Sequence, residues 1–375
     1  MVYNSEKQKF QNKKNIIFHL PWDVNIDLSR TGYIRSSNLI NAFESKNYNV
    51  DIVMGKAKKR KNQIDKIKDN IKKGKKYEFL YSESSTYPTV LSSGNKDAIR
   101  YPLLDFRFFS FCKKKKIKIG LFYRDIFWRF NTFSVSKHWL KKYYYQFLYK
   151  FDLNQYHKNV DILYMPSTKM VEYLPFKLPI VKSLPPGCKI NEKISDKDNK
   201  KISILYIGGI GGHYKIHKLV KVISEKPKYN LTICCRKDSW EKNKKEYKKF
   251  LNSNINIVHL SGKDLYSLFK KNNIAVIFIE KLKYWDFVMP MKLYEYMSHH
   301  IPIIGTSNTS VGNFISENDI GWSIPYNEKS LIQLLEKIED NYNILKEKQK
   351  NIKKILPDHS WDSRADQIIN DLTKD

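Results

Sequence analysis

The same order of elements opens the chain and recurs past its middle. Asn15-Ile-Ile-Phe-His-Leu20 reads as a short strand, a loop runs from Pro21 to Thr31, and Gly32 opens a helix over Tyr33 to Lys46. Asn49 to Met54 is the next strand. Later, Ile202 to Ile207 reads as a strand, Gly208-Gly-Ile-Gly-Gly212 as a glycine loop, His213 to Glu225 as a helix and Tyr229 to Cys235 as a strand. Short apolar runs bounded by turn signals are buried strands, and strand, glycine loop, helix, strand is how a doubly wound α/β domain begins. Two such openings predict two domains, and 375 residues give each a proper core. Residues 1–190 form the first, with Leu184-Pro-Pro-Gly-Cys188 as the turn out and the charged stretch Asn191 to Lys201 as linker. Residues 200–360 form the second, and a last helix follows Trp361. Ligands of such sheets bind beyond the carboxyl ends of the strands, which puts Gly32, Gly209 and Gly211 on the ligand side. Gly32 either lets a phosphate approach the backbone or only completes a turn.

The richest chemistry lies at Asp286 to Gly305. Apolar runs bracket it, Ile274 to Ile279 before and Pro302 to Ile304 after, and Lys292 to His299 fits one helix with Pro290 at its entry. Lys292 and Glu295, three apart, share a helical face. An ammonium beside the free N–H groups of a helix start suits a phosphate, and a carboxylate one turn on accepts hydrogen bonds from a ribose diol. An ordinary surface ion pair fits the spacing equally well. Arg236, at the end of the strand Tyr229 to Cys235, has the fork that suits a diphosphate.

In the first domain Ile117 to Tyr123 is a strand that delivers Arg124 and Asp125 to its carboxyl end. A carboxylate beside a fixed cation there suits proton transfer or charge stabilisation; a structural salt bridge fits as well. Ser82 to Thr89, with the lone carboxylate Glu83, lines an acceptor pocket or is plain turn chemistry.

The segment Pro290-Met-Lys-Leu-Tyr-Glu-Tyr-Met297 resembles the nucleotide-sugar site of GT-B glycosyltransferases, family 4 in particular, where P-x-K-x-x-E-Y-(M/L) links two strands. The resemblance implies two Rossmann-like domains facing across a cleft and a sugar moved from a nucleotide-diphosphate donor to a glycan or lipid-linked acceptor, with retention. It implies that Glu295 contacts the donor ribose. The family's second acidic residue, eight positions earlier, is Phe287 here, with Asp286 beside it. The family's glycine loop usually carries G-R; here Gly209 stands for the arginine, with Lys215 near the usual lysine. Tyr123-Arg-Asp-Ile-Phe-Trp128 resembles Y-R-D-x-(Y/F)-W of bacterial capsule and surface-polysaccharide enzymes, which implies that Asp125 orients hydroxyls, with Arg124 near phosphate or holding Asp125. The class needs no structural metal, and His213 and His217 find no third ligand. A sugar-nucleotide epimerase shares this plan.

Lys+Arg 68 against Asp+Glu 38 leaves +30, which calls for anionic company: nucleic acid, an anionic membrane or phosphorylated ligands. A non-catalytic basic adaptor on nucleic acid or anionic lipid is the alternative that this charge favours; no RNA-binding signature is present, and no specific nucleic acid is expected. Residues 56–76 read as a solvated basic helix. Ser134 to Asp152 reads as a helix whose aromatic stripe (Trp139, Leu140, Tyr143, Tyr144, Phe147, Leu148, Phe151) either lies on an anionic leaflet or packs in the core. Cys112, Cys188, Cys234 and Cys235 show no C-x-x-C spacing and fit reduced thiols. With no apolar run of spanning length, the expected place is the cytoplasm, peripheral to the inner membrane face.

Overall fold

The computed structural model describes residues 13–22, 31–92, 100–130, 139–174, 176–190 and 201–374. Of the expected linker only Lys201 is among them, and residues 23–30, ahead of Gly32, are not.

The first sheet is built from β1 (Lys14–Leu20), α1 (Thr31–Ser45), β2 (Tyr48–Met54), α2 (Ala57–Lys72), β3 (Phe79–Glu83), α3 (Leu104–Lys114), β4 (Lys118–Phe122), α4 (Trp139–Asn159), β5 (Ile162–Met165) and β6 (Ile180–Ser183). Its six parallel strands run in the order β2-β1-β3-β4-β5-β6. Alternation along β1 serves both faces. Ile16, Phe18 and Leu20 join one apolar cluster, and Ile17 the other. Parallel strands covered on both sides are apolar throughout, and all five residues of β3 are buried.

The second sheet comes from β7 (Ser203–Ile207), α5 (His217–Ser224), β8 (Asn230–Cys234), α6 (Lys237–Tyr247), β9 (Ile255–Val258), α7 (Leu265–Lys271), β10 (Ile274–Ile277), α8 (Met291–Ser298), β11 (Ile303–Thr306), α9 (Ser310–Glu317) and β12 (Gly321–Ile324). Its order is β12-β11-β10-β7-β8-β9, again all parallel. Strand order reverses between β1 and β3 in one sheet and between β7 and β10 in the other, and such switch points are where open α/β sheets bind ligands.

After α10 (Glu328–Asp340) and α11 (Asn343–Ile355) the chain crosses back, and α12 (Trp361–Thr373) covers one face of the first sheet. Trp361, Ala365, Ile368 and Leu372 pack against Phe18, Phe79, Tyr81 and Tyr164. Gly120 in β4 permits that approach: a Cβ there would stand 2.8 Å from the Tyr164 ring and 2.9 Å from Leu372.

The other face of the first sheet carries α2, α3 and α4 side by side. Helix α3 was not anticipated, and α2 is not merely a solvated basic helix. Its Arg60 is buried and grips Asp105 of α3 at 2.9 and 2.8 Å; Asp105 also meets His19 Nε2 at 2.9 Å, and His19 Nδ1 meets Ser82 Oγ at 2.8 Å. Burial holds His19 below its usual pKa, against the pull of Asp105. A charged pair so deep is tolerated because each polar atom finds a partner.

One carboxylate in this layer is less well served. Asp152 of α4 accepts the Thr89 N–H at 2.7 Å through one oxygen and has no partner for the other among the described residues. Burial raises its pKa from 3.8 to about 8, against the Thr89 bonds. The folded state thus keeps a proton that the unfolded chain loses, so stability is complete below the ordinary value and is lost as pH climbs towards 8. Asp152→Asn is expected to flatten the melting temperature between roughly pH 5 and pH 8, gaining most at the upper end. Thermal melts at several pH values check this, and parallel profiles for variant and wild type would refute it.

Candidate functional site

At the switch point of the second sheet, β7 runs into the loop from Gly208 to Ile216. The helix starts only at His217, four residues later than the sequence indicated, because the chain first has to turn. Gly211 and Gly212 take φ of +84° and +58°, and the Tyr214 N–H closes the turn on the Gly211 carbonyl at 3.0 Å. A Cβ on Gly209 would stand 2.9 Å from the Tyr214 ring, and one on Gly211 would collide with Asn243. The loop's own geometry therefore requires both glycines. The loop is fixed to its surroundings by Tyr206, whose hydroxyl donates to the Gly209 carbonyl at 2.5 Å, and by Trp285, whose indole N–H donates to His213 at 3.2 Å. His213 is held below its usual pKa by burial, which keeps it neutral at neutral pH.

Beside this loop α8 presents Lys292 and Glu295. They form a direct ion pair, each side chain about a third exposed (31 and 32 %). Both act electrostatically on the Cys234 thiol at the end of β8, which burial raises above its usual pKa. Arg236, two residues beyond, is exposed at the start of α6. The carboxyl ends of β7, β8 and β10 thus gather a glycine loop, an exposed guanidinium and a Lys–Glu pair.

In the first domain, Tyr123, Arg124 and Asp125 follow β4 as expected, but the two charged residues do not form a pair with each other. Arg124 binds Glu83 at 2.8 Å and lies over the Trp22 ring at 5.1 Å. Arg35 reaches the same carboxylate at 3.3 Å and Ser36 donates to it at 3.1 Å. Glu83 is fully buried, so this carboxylate neither lines an acceptor pocket nor merely shapes a turn; it is the counter-ion of two arginines. Burial lowers the Arg124 pKa, with Glu83 opposing; its Nε has no hydrogen-bond partner among the described residues. Gly32 is the second residue of α1, inside the helix rather than ahead of it.

Asp125 instead reaches the second domain. Its Oδ2 accepts the Tyr284 hydroxyl at 2.6 Å, and its Oδ1 accepts the Phe127 N–H at 3.0 Å. Burial raises its pKa, against the Tyr284 bond and the Ile126 and Phe127 N–H groups. A parallel bridge joins the Tyr173 hydroxyl to Asp286 at 2.6 Å. Between the two bridges Phe130 stacks on Phe287 at 5.8 Å and meets Tyr284 edge-on at 5.8 Å, while Tyr173 meets Phe287 at 5.4 Å. Phe287, at the position of the family's first glutamate, is therefore an anchor between domains. Tyr284 was not singled out from the sequence; its signal is the aromatic run Tyr284-Trp285-Asp286-Phe287 just ahead of α8.

Residues 189–355 match the family model described as Glycosyl transferases group 1. The fold is GT-B. Along almost its whole length the chain is similar to Anabaena Alr3699/HepE, solved in complex with UDP (9% identity, 96% of this chain and 99% of that one, TM-score 0.65). It is similar to a glycosyltransferase from Rickettsia africae (14% identity, 97% and 100%, TM-score 0.62) and to the lipopolysaccharide outer core galactosyltransferase WaaB (11% identity, 95% and 99%, TM-score 0.54). At these identities the likeness is one of fold. None of the curated proteins matches the chain. In GT-B terms, the group 1 match covers the domain that holds the glycine loop, Lys292 and Glu295.

The grip on Glu83 gives a direct test of the first domain. Glu83→Gln leaves two buried guanidinium groups facing a neutral amide, and removing one partner of a buried ion pair costs about 3–5 kcal/mol. Chemical denaturation should register a loss of that order, and a variant within about 1 kcal/mol of wild type would show the cluster to be solvated.

Proposed function

We propose that the chain is a glycosyltransferase that moves a hexosyl or N-acetylhexosaminyl group from a nucleoside-diphosphate sugar to a glycan or lipid-linked acceptor, with retention, in bacterial surface-polysaccharide or glycoconjugate synthesis. The observation that carries this reading is where the group 1 match falls: residues 189–355 include the whole switch point with its loop, cations and Glu295. UDP-sugars are the first donors to test, because Alr3699/HepE was solved with UDP and with UDP-glucose.

In this reading the Glu295 carboxylate leaves Lys292 and accepts the ribose hydroxyls, while Lys292 and Arg236 turn to the diphosphate. Gly209 and Gly211 let backbone approach the phosphates. The bond between the sugar's anomeric carbon and the terminal phosphate oxygen breaks, that carbon bonds to the acceptor oxygen, and the acceptor hydroxyl's proton departs. Cationic side chains and the starts of α5 and α8 offset the charge that builds on the leaving diphosphate. No metal is assigned a part. In this reading Asp125, once released by the Tyr284 hydroxyl, takes or orients the acceptor proton; burial raises its pKa, the direction that makes its carboxylate a stronger base. Arg124, committed to Glu83, supplies positive potential at the same cleft wall. The protein works in the cytoplasm at the inner membrane face. Among the described residues no helix is long and apolar enough to cross a membrane.

UDP release from a UDP-sugar should depend on added acceptor. An adaptor would release none, and an epimerase would alter the sugar nucleotide without acceptor, so either result overturns the proposal. Glu295→Ala should weaken UDP binding by about 1.5–3 kcal/mol, the scale of a charged hydrogen bond; calorimetry showing unchanged affinity in a folded variant would remove the ribose role. Asp125→Asn should keep donor affinity while turnover falls about a hundredfold. A stable Asp125→Asn protein with normal turnover would take that residue out of the chemistry.

A further inference from the structure

Helix α4 is apolar on two opposite faces, and among the described residues only one of them packs into the core. Tyr149, Leu153 and Tyr156 point into the core of the first domain. A helix advances 100° per residue, so Trp139, Leu140, Tyr143, Tyr144 and Phe147 fall on the far side. All five are between 52 and 68 % exposed. Twelve large hydrophobic side chains are exposed among the described residues, and five stand on this one stretch. Single exposed apolar residues need no account, but a contiguous patch marks an interaction surface.

The surroundings indicate what covers it. Lys141 and Lys150 flank the stripe, both exposed. Helices α3 and α2 continue the same layer and turn lysines outward, among them Lys58, Lys66, Lys113 and Lys114. Three of the five stripe residues are Trp or Tyr, whose rings combine an apolar body with a polar edge and favour the boundary between lipid and water. An aromatic stripe set in a positive field fits a surface that is apolar beneath and anionic at its face. A second copy of the chain would bring a like-charged layer against this one.

We propose that the outer face of α4 seats the first domain on an anionic phospholipid bilayer, with Trp139, Tyr143 and Phe147 entering the interface and the lysines of α2 and α3 meeting the headgroups. This deepens the reading of the protein as a peripheral enzyme and rests on it. The test uses no donor, so its failure stays distinct from failure of the transfer chemistry.

The full chain is sedimented with vesicles of phosphatidylcholine alone and with vesicles in which about a third of the lipid is phosphatidylglycerol. Binding should be confined largely to the anionic vesicles and should weaken as salt rises. The variant Trp139→Ser/Tyr143→Ser/Phe147→Ser should bind them about tenfold less, with unchanged melting temperature and unchanged UDP-induced stabilisation. In the wild type, brominated acyl chains should quench tryptophan emission, and Trp139→Phe should lose most of that quenching. Equal binding to both vesicle types, or a folded triple variant that binds like wild type, overturns the proposal. So does a wild-type dimer in light scattering that the triple variant abolishes, which would give the stripe to a second copy. Binding of random-sequence RNA that competes with the vesicles and is lost in the triple variant would overturn it too.

Discussion

The hydrogen bond between Tyr284 and Asp125 decides how the two halves of this molecule meet. It is 2.6 Å long and runs from the second domain to the carboxylate of Asp125, just beyond β4 of the first. A buried carboxylate without such a donor is costly, so Asp125 favours the arrangement in which Tyr284 is present. The Tyr173–Asp286 bond repeats the device with the donor and acceptor domains exchanged, and the rings of Phe130 and Phe287 fill the space between. Together they set the carboxyl ends of both sheets towards one another. Met291, the first residue of α8, packs against the cluster that α12 forms with the first sheet, so the helix bearing Lys292 and Glu295 is referenced to both domains.

Much of this framework could be read along the chain because it depends on local pattern. β1, β2, β7, β8 and β10 are short apolar runs between turn signals, and α8 differs from expectation by a single residue at each end. The start of α5 was misjudged because its first turn is displaced by two residues in left-handed conformation, and a glycine-rich sequence does not say which glycines adopt it. The aromatic helix left open a choice between core and surface, and α4 takes both: the residues up to Phe147 are largely exposed, while Tyr149, Leu153 and Tyr156 are core. Its apolar residues run round the helix, so periodicity had no single face to report.

The buried charges were least legible. Arg60 looks like one more cation in a basic helix until Asp105, 45 residues away, is brought against it, and His19 meets the same carboxylate from 86 residues away. Glu83 and Arg124 are 41 apart, and nothing in the sequence around either names the other. Long-range pairing of this kind is set by topology, which places the ends of β1, β3 and β4 side by side. Tyr284 meets Asp125 across 159 residues by a further step, the contact of the second domain with the first. The resemblance to GT-B enzymes pointed to Glu295 because that residue belongs to a local motif. It could not point to Tyr284, whose part depends on the other domain.

The two switch points also differ in what their cations are free to do. In the first domain Arg35 and Arg124 converge on Glu83, and at 20 % side-chain exposure Arg124 is the more accessible of the two. Moving either guanidinium towards a ligand would uncover a buried carboxylate. In the second domain Arg236 is exposed, and among the described residues Lys292 is tied only to Glu295, in a pair about a third exposed. A short-range pair on a helix surface is worth a few tenths of a kcal/mol, so opening it for a ligand costs little. A diphosphate that takes Lys292 and a ribose that takes Glu295 would separate the pair and satisfy both halves at once. On the proposed reading this asymmetry puts the charged donor on the second domain, and leaves the first to supply Asp125 and a fixed positive wall.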